Sequence, residues 1–102
     1  MTLHPSYDVP LEELRVHTAD GYLLCAARDP RRGGFEVFDG VGRAVARLLV
    51  SKRVACVLVE VAPLLAWDDA VAGLRTAHRA DRRGESDAAV RAAFTAPERR
   101  RK

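Results

Sequence analysis

An α+β fold is what this sequence predicts, and three observations predict it. The first forty residues break into short apolar stretches punctuated by turn chemistry, Ala19-Asp20-Gly21 and Asp29-Pro30-Arg31-Arg32-Gly33-Gly34. The run from Val54 to Val61 has seven apolar residues in eight and is rich in β-branched side chains. The last third repeats apolar residues at helical spacing, Trp67, Val71, Leu74 and His78, then Val90 and Phe94.

Residues 1–10 are a polar lead-in with two prolines, and Leu11-Glu12-Glu13 reads as a short turn. Leu14 to Thr18 alternates apolar and polar, as a half-buried strand does. Asp20-Gly21 tolerates the positive φ of a tight hairpin turn, and Tyr22 to Ala27 returns as the second strand. The loop from Asp29 to Gly34 leads to a third strand, Phe35 to Phe38. Short connections make these three an antiparallel meander.

Asp39 to Arg53 reads as a helix. Val41, Val45, Leu48 and Lys52 then line one stripe, Asp39 caps the start, and Lys52 and Arg53 suit the negative end of the dipole. The alternative is a hairpin at Asp39-Gly40 with Arg43 to Val50 running back as a strand, against which stand imperfect alternation and several alanines. Val54 to Val61 reads as a central fourth strand covered on both faces, ended by Pro63. A helix followed by a strand suits a crossover returning parallel to an earlier strand. A carboxylate, Asp68 or Asp69, opens a helix reaching Ala80, and Ser86 caps a shorter one through Phe94. The two C-terminal helices are expected on one face of the sheet. The reading is a single small domain, 1–97, with a basic tail, 98–102.

With 102 residues, 48% apolar and 30% charged, the chain is long enough for one core without metal or disulfide support. Cys25 and Cys56 both lie in apolar runs, and Met1 to Pro5 lacks the basic-then-apolar pattern of a secretory signal. A reducing, cytoplasmic setting is therefore expected, and no apolar stretch is long enough to span a bilayer. Net charge is +3, but residues 28–53 and 72–102 hold sixteen of the seventeen bases. Fifteen of the seventeen are Arg, which suits bidentate contacts to phosphate or carboxylate. The plainer account of so much Arg and Ala is a GC-rich bacterial genome.

Three places carry functional expectations. Arg28, Arg31 and Arg32 surround Gly33-Gly34, whose amides could turn toward an anion; the competing reading is an ordinary exposed hairpin loop. Arg75, Arg79, Arg82 and Arg83, with Arg99 to Lys102, form a basic stripe and tail suited to nucleic-acid phosphates. Residues 68–80 and 86–94 there have a helix–turn–helix outline, with Arg91 as the one base reader. The competing reading is a solvated helix face. Glu60 shares a face with Cys56 and Leu58 if its segment is a strand, which makes it an alternative acid or base; the plainer reading places it in water at the strand end. His4, His17 and His78 form no metal set, His78 reads as a core histidine with a hydrogen-bond partner, and no cofactor is expected.

The expected function is a small bacterial non-enzymatic interaction or regulatory module whose basic surfaces contact an acidic partner, nucleic acid first. One alternative is a small-molecule-binding domain or enzyme joining Glu60 to Arg31 or Arg32. Another is a protein–protein adaptor acting through its sheet. Helices on one face leave the other bare, with Tyr22, Leu24 and Phe35 or Phe38 expected there, so a homodimer or a protein partner is expected through that face.

Overall fold

Hairpins set the frame. At Asp20-Gly21 the Thr18 amide donates to the Tyr22 carbonyl and the Gly21 amide to the Thr18 carbonyl. The computed structural model describes residues 13–95. In it this turn joins β1 (Glu13–His17) to β2 (Leu23–Arg28), and the loop from Asp29 leads to β3 (Phe35–Asp39). All three strands are antiparallel, as the sequence leads one to expect. The lead-in 1–10, Leu11-Glu12 and the tail 98–102 lie outside the described residues.

The segment read as a helix from Asp39 to Arg53 is not one: only Lys52 and Arg53 are helical, as the start of the next element. It turns at Asp39-Gly40 into β4 (Ala44–Val50), antiparallel to β3. Asp39 organises the turn: its carboxylate accepts from the Val41 and Arg43 amides, while its own amide donates to the Arg43 carbonyl. Gly42, at φ 88°, supplies the left-handed residue that closes it. Within β4 the register to β3 shifts and Arg47 sits at φ 55°, a bulge. The bulge breaks the alternation, and the broken alternation is what imitates a helical stripe at Val41, Val45 and Leu48.

Val54 to Val61 is not a strand. It belongs to α1 (Lys52–Val61), capped by the Ser51 side chain, which accepts the Val54 amide. Among the described residues there is no parallel crossover, and the sheet order is β1-β2-β3-β4. Val54 through Leu58 are all buried, as is Val61. A helix apolar nearly all round is one enclosed by its neighbours. Helix propensities differ by only about 0.7 kcal/mol per residue, whereas burying a Val or Leu side chain gains about 1.5–3 kcal/mol. Burial therefore outweighs the β-branched preference.

After a single 3-10 turn (Ala62–Leu64), α2 (Trp67–Arg82) and α3 (Asp87–Phe94) complete the chain. Asp68 and Asp69 lie in the first turn of α2, and Ser86 caps α3 through the Ala89 amide. Helix α1 packs on β1 and β4, α2 on β4, and α3 on α2 and α1. The helices thus gather on one side of the sheet. One core joins Leu24, Phe35, Val37 and Val50 of the sheet to Leu58, Leu74, Val90 and Phe94. Leu24 and Phe35 therefore point into the core, not onto the bare face. Tyr22 lies beyond β2, against Trp67, with ring centroids 5.7 Å apart. His78 is half-buried, and its Nδ1 has no hydrogen-bond partner among the described residues.

Candidate functional site

The two basic patches, far apart in sequence, emerge at one end of the fold. Gly34 closes the β2–β3 loop beside the Val50 carbonyl, only 3.0 Å from where a Cβ would stand. Ser51 follows directly and caps α1. Arg53, in the first turn of α1, then reaches Asp81 near the end of α2 at 2.9 Å and Asp87 at the start of α3 at 2.8 Å. Contact by contact, the loop with Arg28, Arg31 and Arg32 shares an end with Arg79, Arg82 and Arg83. Hydrogen bonds from Arg53 to Asp87 first, and to Asp81, push its already high pKa further up. Arg53 engages both aspartates in a trio that keeps one net negative charge, and neither carboxylate pairs with Arg75, Arg79 or Arg82.

The loop itself holds fewer donors than its sequence suggests. Asp29 Oδ1 accepts the amides of Arg31 and Arg32, and the Asp29 carbonyl accepts the Gly33 amide. These bonds, led by that from the Arg32 amide, hold the Asp29 carboxyl below its usual range. Of the two glycine amides counted toward an anion, that of Gly33 is thus already used. Arg32 is also engaged, with Nε 2.9 Å from Asp29 Oδ2. Arg28 and Arg31 are exposed and have no ion pair among the described residues.

On α2, Arg75, Arg79 and Arg82 are exposed and likewise have no ion-pair partner among the described residues. Arg83, the C-cap, pairs with Glu85 at 2.7 Å. Arg91 of α3 pairs with Glu60, so the one base reader in the helix–turn–helix outline is occupied. Glu60 is exposed on α1, one helical turn beyond Cys56 and about 200° around the helix from Leu58, both buried. It lies eight residues beyond Lys52, about 12 Å of helix rise, so Arg31 and Arg32 are not brought together with it.

The opposite end is acidic. A cleft of about 620 Å³ there is lined by Asp20, Tyr22, Asp39, Arg43, Trp67 and Asp68, among others. Ala66 offers α2 no side-chain cap, and Asp20 takes that role from 47 residues away by accepting the Trp67 amide at 3.0 Å. Asp20 also accepts from the Thr18 hydroxyl, the largest of the effects that hold its pKa below the ordinary value. A carboxyl that is harder to protonate folded than unfolded stabilises the fold above its unfolded pKa of about 3.9. That contribution fades as pH falls through the lower folded value. Asp20→Asn should lower the thermal midpoint near neutrality, and its deficit against wild type should narrow as pH falls below the unfolded value of about 3.9. Thermal melts across that range check this, and a deficit of constant size would remove the linkage.

Sequence reasoning missed Arg53 and Asp20. By sequence Arg53 reads as the end of a helix over Asp39–Arg53, and Asp20 as part of a turn alone. The usable signal is Ser51 three residues ahead of Val54 and its apolar run, a helix start. Both cysteines are free, and burial pushes both thiols up, away from nucleophilic use. Among the described residues no group of three or more His, Cys, Asp or Glu is placed to hold a metal, and no helix is long and apolar enough to cross a membrane. No family model matches the chain, and the comparisons with curated proteins and with solved structures also find no match.

Proposed function

We propose that this protein is a non-enzymatic interaction module whose basic surface contacts an acidic partner, nucleic acid first. The observation that carries this is the division among its arginines. Arg15, Arg32, Arg43, Arg53, Arg83 and Arg91 are matched by carboxylates, whereas Arg75, Arg79 and Arg82 stand exposed along one helix without a partner among the described residues. Unmatched guanidinium groups in a row suit the phosphates of a nucleic-acid backbone, which they bind without sequence choice. Arg28 and Arg31, at the same end, extend the surface.

Three phosphate contacts give a salt slope of about −2.7, so binding should weaken about 40-fold between about 50 and 200 mM salt. Replacing Arg75, Arg79 and Arg82 together by Ala should weaken binding to every oligonucleotide alike and remove most of that slope. Fluorescence anisotropy with single- and double-stranded oligonucleotides measures both. Unchanged binding in the triple variant, or no binding by wild type at the lower salt, would retire the reading.

A protein contact through the bare sheet face is the second reading. The outward positions of Leu23, Phe38 and Leu49 favour it. Joining Glu60 to Arg31 or Arg32 in a small-molecule site has no such support.

A further inference from the structure

We infer that a second copy of this chain covers the bare face of the sheet, with strand directions reversed about a two-fold axis lying across the strands. The register defines that face. One cross-strand row is Glu13, Ala27, Glu36 and Leu49, and the next is Arg15, Cys25, Phe38 and Ala44. Leu23 and His17 begin a third. The helices all pack on the other side, so no described residue from them covers these rows.

Shape favours a copy of the same surface. Phe38 stands between two hollows, one of about 470 Å³ running toward Leu23, Cys25 and Gly40, the other of about 300 Å³ running toward Arg28 and Pro30. Ala27 and Phe38 line both, so the hollows flank one ridge. A ridge beside a hollow is complementary to itself when the partner is turned about a two-fold axis. Each Phe38 ring then enters a hollow of the other copy.

Charge fixes the direction. Glu13 and Arg15 are successive outward residues on β1, with Glu13 Oε2 and Arg15 Nε 3.1 Å apart. Reversing the strands lays β1 over β1, so Glu13 of each copy meets Arg15 of the other and an alternating four-charge network closes. Stacking with strand directions kept would lay β1 over β4 and set Glu13 against Leu49, Arg15 against Ala44 and Glu36 against Ala27, with no opposite charge across the axis. The reversed stack leaves only Glu36, 3.8 Å from Arg32 of its own copy, against an apolar side chain, Phe38. The sheet edges are less suited to pairing. Edge strand β1 carries Glu13, Arg15 and His17, and edge strand β4 is interrupted by the Arg47 bulge. The basic stripe of α2 stays outside the contact, so this inference and the nucleic-acid reading can fail independently.

The test uses the full chain. Light scattering from about 1 to 100 µM, the range in which interfaces of modest size assemble, should give twice the chain mass of 11.2 kDa. Alkylation of Cys25, half-exposed in the middle of the face, should slow as concentration rises; Cys56, 1% exposed, is the unreactive control. Phe38→Asp should raise the dissociation constant about 30-fold or more with an unchanged circular dichroism spectrum. Glu13→Arg chains alone and Arg15→Glu chains alone should dissociate, and an equimolar mixture should restore the dimer, because only the mixture matches charges across the axis.

A monomeric mass throughout with Cys25 freely alkylated would overturn the inference and leave the face to a different protein. A monomeric mass with Cys25 protected at every concentration would overturn it in favour of residues 1–12 of the same chain. A dimer that survives Phe38→Asp would also overturn it, since the contact would lie elsewhere. Failure of the mixture to reassociate would overturn the reversed register.

Discussion

Gly73→Ala should destabilise this protein by about 2 kcal/mol, although the same change in an open helix gains about 1 kcal/mol. The reason is the seam between α2 and α3. A Cβ on Gly73 would stand 2.8 Å from Phe94 Cδ1 and 2.9 Å from Phe94 Cα. A ring can rotate away, but the Phe94 backbone can yield only if α3 moves. Phe94 is fully buried, and α3 is eight residues long with Val90 as its other buried apolar anchor. Gly73→Val should therefore cost more than the alanine and release α3 from α2. Urea unfolding of both variants measures the cost, and proteolysis at the exposed 84–86 segment reports the release. A Gly73→Ala protein more stable than wild type would show that the helices have room to spare.

Leu58→Ala should cost about 3 kcal/mol, within the range of about 2–5 kcal/mol for deleting a buried leucine. That is a large share of the stability of about 5–15 kcal/mol typical of a domain. Leu58 is 1% exposed on α1, packed among sheet and helices. Glu60→Ala, two residues on, should cost less than about 1 kcal/mol, because its pair with Arg91 is half-exposed. The contrast follows from the helix, on which two residues are separated by about 200°; on a strand the same two side chains share a face. Denaturant midpoints of the two variants settle it, and equal losses would contradict the helix.

The first three strands were legible because Asp20-Gly21 and the Asp29–Gly34 loop are local turns with local chemistry, and the alternation between them is short and clean. The last two helices were legible for the same kind of reason, with Ser86 capping one and acids starting the other. The middle of the chain was not, because two signals there are degenerate. An apolar run of eight residues fits a buried strand or a buried helix, and only the surroundings of Val54–Val61 decide. A bulged strand loses its period, and the left-handed Arg47 leaves no mark in a sequence. Exposure of Arg75, Arg79 and Arg82 was readable from their spacing. That they stand unmatched was not, because matching depends on Arg53 drawing Asp81 and Asp87 to itself across more than 25 residues. The shared end of the two basic patches is a property of the packing alone.

Among the described residues every strand pairs with its neighbour in sequence, and every helix follows the sheet. On a ribosome, residues 13–50 emerge before 51–95 and can form all of their hairpins from local contacts, the fast kind to find. Among the described residues nothing covers that nascent sheet until α1 appears, so the newborn meander exposes Leu24, Phe35, Val37 and Val50 of its core face. Synthesis of residues 51–95 supplies the cover for one side. Between those two moments the chain is most exposed to misassociation with other unfinished chains.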